Sequence, residues 1–423
     1  LIAETGGQNA MIVDSTALAE QVCADVLNSA FDSAGQRCSA LRILCVQEDV
    51  ADHMVKMIKG AMDELVVGNP IALDTDIGPV IDTEAQQNLL AHINRMKGIA
   101  KSYHEIRPSE NVNPDNATFV APIMFELNGL GELQREVFGP VLHVVRYPAD
   151  GLDKLIDQIN GKGYALTHGV HSRIDGTVEH IRSRIESGNV YVNRNIVGAV
   201  VGVQPFGGHG LSGTGPKAGG SFYLQRLSRL KEWTAPTLSK IGQVDEAALK
   251  RLETLLHGLP LPQSEKMAAA ASLGQSRVRT LRKAESVLSG PTGERNVLSW
   301  HAPARVWLYG GSLAASFTAL VSLASAGVQA VVLPDHPLAA YADRLDGLLA
   351  VTDKPEAAGI SHVAALEPLP SARKQVLANR DGALVRILPS ENGLDILQVF
   401  EEISCSINTT AAGGNASLMA MAD

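Results

Sequence analysis

The sequence predicts an α/β fold organised in at least two domains, and three observations carry that prediction. Short runs of β-formers alternate with stretches whose apolar residues recur at helical spacing. The 423 residues include 39 glycines, which implies many tight turns and suits α/β layers better than a helical bundle. Hydrophobic residues make up 45% of the chain and charged residues 19%, a composition that buries a large core and is unlike that of a disordered chain. The formal net charge of -9, without any basic run, argues against a nucleic-acid partner for this segment. Cys23, Cys38, Cys45 and Cys405 have neither paired spacing nor a histidine cluster, so no metal site or disulfide framework is expected, and a reducing cytoplasm is the natural setting. The chain opens at Leu1 without a leader pattern and reads as a piece of something longer.

Taken in order, 11–13 reads as a strand and 17–31 as a helix with Leu18, Val22, Val26 and Ala30 on one face, which delivers the chain to a loop around Cys38. A strand at 42–46 follows, with Cys45 in the core. Val50, Met54, Ile58, Ala61 and Leu65 mark an amphipathic helix over 49–65, and a turn-rich loop leads to a second helix at 83–96 capped by Thr83. The polar stretch 101–116 reads as an irregular surface segment. Strands are expected at 119–127 and 141–147, helices at 152–159 and 178–185, and a strand at 169–172 between them. Residues 188–203 are extended and lead to a glycine-dense loop, 207–220, whose amides can approach an anion; His209 and Lys217 are expected on its surface. Residues 222–233 resemble a strand offered to a partner subunit. Helices are expected at 245–256 and 273–288.

Residues 306–333 carry no charge, yet Gly310-Gly311 interrupts them and small residues are too frequent for a membrane span. Strand, glycine turn, buried helix and strand account for them as a Rossmann-like unit. It lacks the Gly-x-Gly-x-x-Gly fingerprint, so cofactor binding is not expected there. Near the end, Ser406-Ile-Asn408 echoes Tyr191-Val-Asn193 and Gly413-Gly-Asn415 echoes Gly6-Gly-Gln-Asn9, which suggests an inactive duplicate of an earlier domain.

The chemistry concentrates in the first forty residues. Glu4 stands on the turn Glu4-Thr-Gly-Gly7, and 34 positions later Cys38 stands in Gly35-Gln-Arg-Cys-Ser39. A thiol nucleophile with a separate carboxylate base suits a covalent mechanism with a hydrolytic second step. The neighbouring arginine and a nearby helix start are expected to lower the thiol pKa. Taken singly, a cysteine is more often a small buried hydrophobe and a glutamate a solvated group. Two more blocks attract notice: Glu136-Val-Phe-Gly-Pro-Val141, where taken alone Glu136 reads as a solvated loop acid and Phe138 as an ordinary core residue, and Gly188-Asn-Val-Tyr-Val-Asn193 followed by Pro205-Phe-Gly-Gly208.

These four ordered motifs together resemble the aldehyde dehydrogenase superfamily. The resemblance implies Cys38 as nucleophile, Glu4 as base, Glu136 and Phe138 as NAD contacts, and Phe206 on the substrate-facing wall. Ser39 beside the nucleophile, with Pro216-Lys-Ala-Gly-Gly220, is similar to the branch that oxidises L-glutamate γ-semialdehyde. There the serine and the loop at Gly219 and Gly220 hold the substrate carboxylate; taken alone, Ser39 could equally be a helix cap. With the later segments included, the whole chain resembles the C-terminal part of the bifunctional proline-utilisation (PutA) flavoproteins. That implies a three-layer α/β catalytic domain over 1–220, an oligomerisation strand over 221–235, a helical connector over 236–300, and a degenerate Rossmann-like domain with a tunnel-lid tail over 301–423. It also implies a homo-oligomer, a flavin (FAD) confined to an absent N-terminal part, and the main NAD-binding half lying before Glu4. The rival expectations are a dehydrogenase of another aldehyde and a non-catalytic scaffold or lid. A thiol hydrolase is disfavoured, because no histidine is adjacent to either catalytic motif.

Overall fold

The computed structural model describes residues 1–106, 117–228, 233–276 and 280–410. Its contacts divide into two compact units, one of residues 3–213, 289–296 and 404 onward, the other of Leu1–Ile2, 214–288 and 297–403. Each unit has its own apolar core.

In the first unit the apolar run Ala10–Val13 forms β1, buried along its whole length, as a parallel strand covered on both faces must be. Helix α1 (Ala19–Phe31) buries Val22, Val26 and Ala30, while Leu18 stays exposed at its N-cap. Strand β2 (Ile43–Gln47) holds Cys45, whose thiol is pushed up to about 12 by complete burial. Helix α2 (Glu48–Asp63) turns Met54, Ile58 and Met62 inward. Helix α3 (Thr83–Lys97) is capped by Asp82 and not by Thr83, because the Asp82 carboxylate accepts the Ala85 N–H at 2.8 Å. The segment read as irregular contains β3 (Ser102–Glu105), a half-exposed edge strand antiparallel to β4 (Ile123–Glu126); 107–116 lie outside the described residues. Strand β5 (Val141–Tyr147), α4 (Leu152–Asn160), β6 (Tyr164–Ala165), β7 (Thr167–His171), α5 (Asp175–Arg184) and β8 (Asn189–Val192) follow, and β9 (His209–Gly210) pairs with β6.

The sheet runs β8-β7-β1-β2-β5-β4-β3, parallel except at its β3 edge. A late strand, Glu401–Asn408, lies parallel to β8 with Ser406 opposite Tyr191 and Ile407 opposite Val192. The first half of the sequence echo thus falls on two neighbouring strands of one sheet. Its second half, 413–415, and the tail expected to act as a lid fall outside the described residues.

In the second unit, α6 (Tyr223–Leu227) replaces the strand expected over 222–233. Phe222 and Trp233 are buried against each other with ring centroids 5.0 Å apart, and the Trp233 N–H donates to Asp395. Those anchors hold the ends of the segment inside the unit; 229–232 lie outside the described residues. Helices α7 (Glu246–Gly258) and α8 (Gln263–Ser276) follow, but the segment up to 300 is not all helical. Lys283 turns the chain at a positive φ of 60°, β10 (Glu285–Leu288) takes the end of the helix expected at 273–288, and β11 (Glu294–His301) follows. The uncharged run becomes β12 (Arg305–Tyr309), α9 (Leu313–Ser325, capped by Ser312) and β13 (Gln329–Val332). With β14 (Leu349–Val351), β15 (His362–Ala365), α10 (Ser371–Asn379) and β16 (Arg386–Pro389) it forms a parallel sheet of order β14-β13-β12-β15-β16. Among the described residues no helix is long and apolar enough to cross a membrane.

Three histidines in the first unit are enclosed and neutral. Burial holds His143 and His168 down at about 3 and His171 at about 4. Their pKa values in the unfolded chain are near 6.5, so the unfolded state takes up protons first as pH falls. Stability is thus retained above pH 6.5 and lost from 6.5 down to about 4 for His171 and about 3 for His143 and His168, by about 2 kcal/mol per histidine at pH 5. Urea titrations at pH 7.5 and 5 are expected to show this loss, and a His168→Leu variant is expected to show less of it.

Candidate active site

The Cys38 loop is built from behind. Helix α1 ends at Phe31, and Ser33, Ala34 and Gly35 reverse the chain with φ of 57°, 54° and 64°. Only glycine fits at 35, since a Cβ there would lie 2.2 Å from the Gly139 carbonyl oxygen. The next carbonyls are tied down in sequence. Asn9 Nδ2 donates to those of Cys38 and Ala40 at 2.7 and 2.9 Å, and Thr167 Oγ1 donates to that of Ser39 at 3.2 Å. With their carbonyls held on the far side, the amides of Cys38 and Ser39 turn toward the Cys38 sulfur.

Arg42 holds the same loop from beneath. Its guanidinium, with the side chain 2% exposed, donates to the carbonyls of Gly35 at 2.7 Å, Gly139 at 3.1 Å and Arg37 at 3.1 Å. It lies 3.5 Å from Glu136 and 5.2 Å from the centre of the Phe138 ring. Glu136 in turn sits under the Glu4 turn, so close to Gly6 that a Cβ there would fall 1.6 Å from Oε2. Arg42 thus brings the cysteine motif and the Glu136–Gly139 motif together, while the Gly6–Gly7 turn closes over the carboxylate. Burial raises the Glu136 pKa, and Arg42 and the Gly7 N–H oppose the rise.

Cys38 is half-buried, and burial raises its thiol pKa above the usual value. The amides of Ser39 and Cys38 pull it down, while the charges of Glu4 and Glu136 push it further up. The expected activation by a neighbouring arginine is not found. Arg37 Nε bonds Ser33 Oγ at 3.1 Å, Arg42 is engaged with carbonyls, and no helix starts after the cysteine. Ser39 is buried and precedes β2, so it caps no helix. Glu4 is exposed, on a segment bridged to Gly213.

Phe206 is half-buried on a wall fastened from several sides. Ser29 accepts the Ile196 N–H, Arg194 pairs with Glu294 and Ser406, Gln204 donates to Glu294, and Ser404 donates to the Pro205 carbonyl. A cavity of about 780 Å³ is lined by Glu136 and Phe138 together with α3 side chains. Phe138 is 46% exposed, and Glu136 lines the cavity beside it with Oε1 turned to Arg42 Nη2 at 3.5 Å. A carboxylate beside an exposed aromatic ring fits the hydroxyls and apolar face of a nucleoside sugar.

Residues 1–233 match the Aldehyde dehydrogenase family. The chain belongs to that family. It is 45% identical over an alignment of 445 positions to the Bifunctional protein PutA of Escherichia coli (strain K12), across 99% of this chain and 33% of that protein. It is 34% identical over 226 residues to a 1-pyrroline-5-carboxylate dehydrogenase of Geobacillus sp. (strain WCH70), across 53% of this chain and 43% of that one. A solved structure of PutA from Corynebacterium freiburgense matches 96% of this chain and 39% of its own with a TM-score of 0.72 at 24% identity, a likeness of fold. The chain spans about a third of the length of the PutA relatives it matches.

Within this aldehyde dehydrogenase, Glu4, Cys38, Ser39, Glu136 and Phe138 belong to one unit, with Phe206 on its wall, whereas Gly219 and Gly220 belong to the other. There Glu402, buried, accepts the N–H groups of Lys217 at 3.2 Å and Ser221 at 2.6 Å, and a Cβ on Gly220 would meet its carboxylate at 2.4 Å. Lys217, expected on the surface, is buried because its charge faces that carboxylate. His209 is half-buried in β9. Asn9, Arg42 and Glu402 are the residues that sequence reasoning passed over. Only Asn9, directly after the Gly-Gly turn, lay within a motif.

Two outcomes follow for this site. Asn9→Ala strands two carbonyls and is expected to lower stability by about 1–3 kcal/mol. Arg42→Met leaves Glu136 buried without its cation and is expected to lose about 3 kcal/mol or more; thermal melts of the two variants check both. Iodoacetamide labelling of Cys38 without ligands should be slow at pH 7 and still rising above pH 9. Glu4→Gln, which removes a repelling charge, should shift that profile to lower pH.

Proposed function

We propose that the intact protein oxidises L-glutamate γ-semialdehyde to L-glutamate with NAD, the second step of proline catabolism, as part of a longer bifunctional proline dehydrogenase/aldehyde dehydrogenase. The observation that carries this reading is the Cys38 sulfur set against the amides of Cys38 and Ser39 and within electrostatic reach of Glu4. The PutA and 1-pyrroline-5-carboxylate dehydrogenase relatives support the substrate. A flavin belongs, on this reading, to a proline-oxidising part outside these residues, and the assembly is a cytoplasmic homo-oligomer.

Because its resting pKa is raised, Cys38 gives up its proton to solvent water as the substrate is engaged, and the thiolate is reprotonated from solvent after turnover. The sulfur then adds to the aldehyde carbon, and the carbonyl oxygen, now negative, receives the Cys38 backbone N–H. NAD, when bound, supplies the hydride acceptor; Glu136 would hold its ribose hydroxyls and Phe138 would pack beside them. Loss of hydride from the thiohemiacetal carbon re-forms the carbonyl as a thioester. Glu4 takes a proton from water as the water oxygen adds to that carbon. The carbon–sulfur bond breaks, releasing the acid and the Cys38 thiolate. Ser39 is the proposed contact of the substrate carboxylate, and the roles of Gly219 and Gly220 rest on the family resemblance alone.

The test is NAD reduction by the intact protein with glutamate γ-semialdehyde and with an uncharged aldehyde of similar length. Cys38→Ala is expected to abolish turnover, and Glu4→Gln to leave a burst followed by a slow steady state. Ser39→Ala should raise KM several-fold for the carboxylate-bearing aldehyde only. Unchanged turnover in Cys38→Ala would sink the covalent mechanism.

A further inference from the structure

The ring of His143 on β5 is fully buried and stacks on Phe125 at 6.1 Å. Its Nδ1 lies 3.0 Å from the carbonyl oxygen of Arg42, and its Nε2 lies 2.9 Å from Nε2 of His92 on α3. A carbonyl only accepts, so His143 carries its proton on Nδ1 and offers a lone pair at Nε2. His92 must then donate from Nε2, which leaves its own lone pair on Nδ1. Burial keeps both rings neutral. The charges of Arg95 and Arg135 add to the effect at His92, and those of Arg42 and Arg95 at His143.

His92 also lines the 780 Å³ cavity that Glu136 and Phe138 share; its other charged lining groups are Asp82, Glu84, Arg95 and Arg135. With Nε2 committed to His143, Nδ1 is the nitrogen left for a ligand. We propose that His92 is a further cofactor contact, its Nδ1 accepting a hydroxyl or amide N–H of the bound dinucleotide, and that His143 is the positioning residue that fixes its tautomer. The proposal rests on reading this cavity as the NAD site. It ties the cavity wall to the backbone of Arg42, the residue that supports the nucleophile loop.

The experiment uses the intact protein and reads NAD binding by calorimetry, independently of turnover. Loss of one neutral hydrogen bond should weaken NAD binding about fivefold in His92→Phe. His92→Gln, which can both donate to His143 and accept from the ligand, should restore affinity. Nitrogen-15 spectra of the wild type should show His143 as the Nδ1–H tautomer and His92 as the Nε2–H tautomer, with the His92 Nδ1 signal moving when NAD is added. Unchanged NAD affinity in His92→Phe, or a His92 Nδ1–H tautomer, overturns the proposal. NAD binding without oxidation of any aldehyde would instead overturn the reading of the reaction and leave this contact standing.

Discussion

The first unit depends on one buried cation, Arg42. Its guanidinium is shut away from bulk solvent, and an ion pair at 3.5 Å with a carboxylate whose own pKa is raised compensates only part of its desolvation. Three peptide carbonyls supply the rest, and each belongs to a segment that must be placed for chemistry. Burial lowers its pKa to about 10, so the charge persists at neutral pH and keeps drawing those carbonyls inward. The geometry around Cys38 is in this sense the solvation shell of an arginine.

The resting thiol has a chemical consequence. A cysteine that is thiolate at all times is exposed to oxidation and alkylation. Cys38, raised by burial and by two nearby carboxylates, is held mainly as the thiol, and the amides that face its sulfur are in place before charge develops. Activation on demand suits the proposed nucleophile, since Glu4, its proposed base, stands on an exposed and separately bridged segment.

Much of this was legible in the sequence, for physical reasons that differ by residue. Strands such as Val141–Tyr147 are buried on both faces and so spell themselves out as apolar runs, and the glycines at 6 and 35 are dictated by contacts that tolerate no Cβ. Arg42 was read as the first residue of a strand, because nothing local distinguishes a cation that solvates carbonyls 97 residues away from one that faces water. Lys217 failed for the same reason: its partner, Glu402, is 185 positions distant. Over 223–227 a short helix stands where weak alternation suggested a strand, next to the contact of Phe222 with the remote Trp233 inside the unit. Local propensity speaks for local contacts, and these placements are set by remote ones.

The late strand adds a consequence in time. β8 receives Ser404–Ile407 from more than two hundred residues further along the chain, so a ribosome that has finished the catalytic motifs has not yet made the strand that covers β8. Until then, one side of β8 presents unpaired amides and carbonyls on a fully buried, apolar strand, the kind of edge that recruits other chains. The segment around Phe206 waits as well, since Ser404 and Ser406 are among its fasteners. The nascent protein therefore has a vulnerable interval between writing the Cys38 loop and completing the sheet that flanks it.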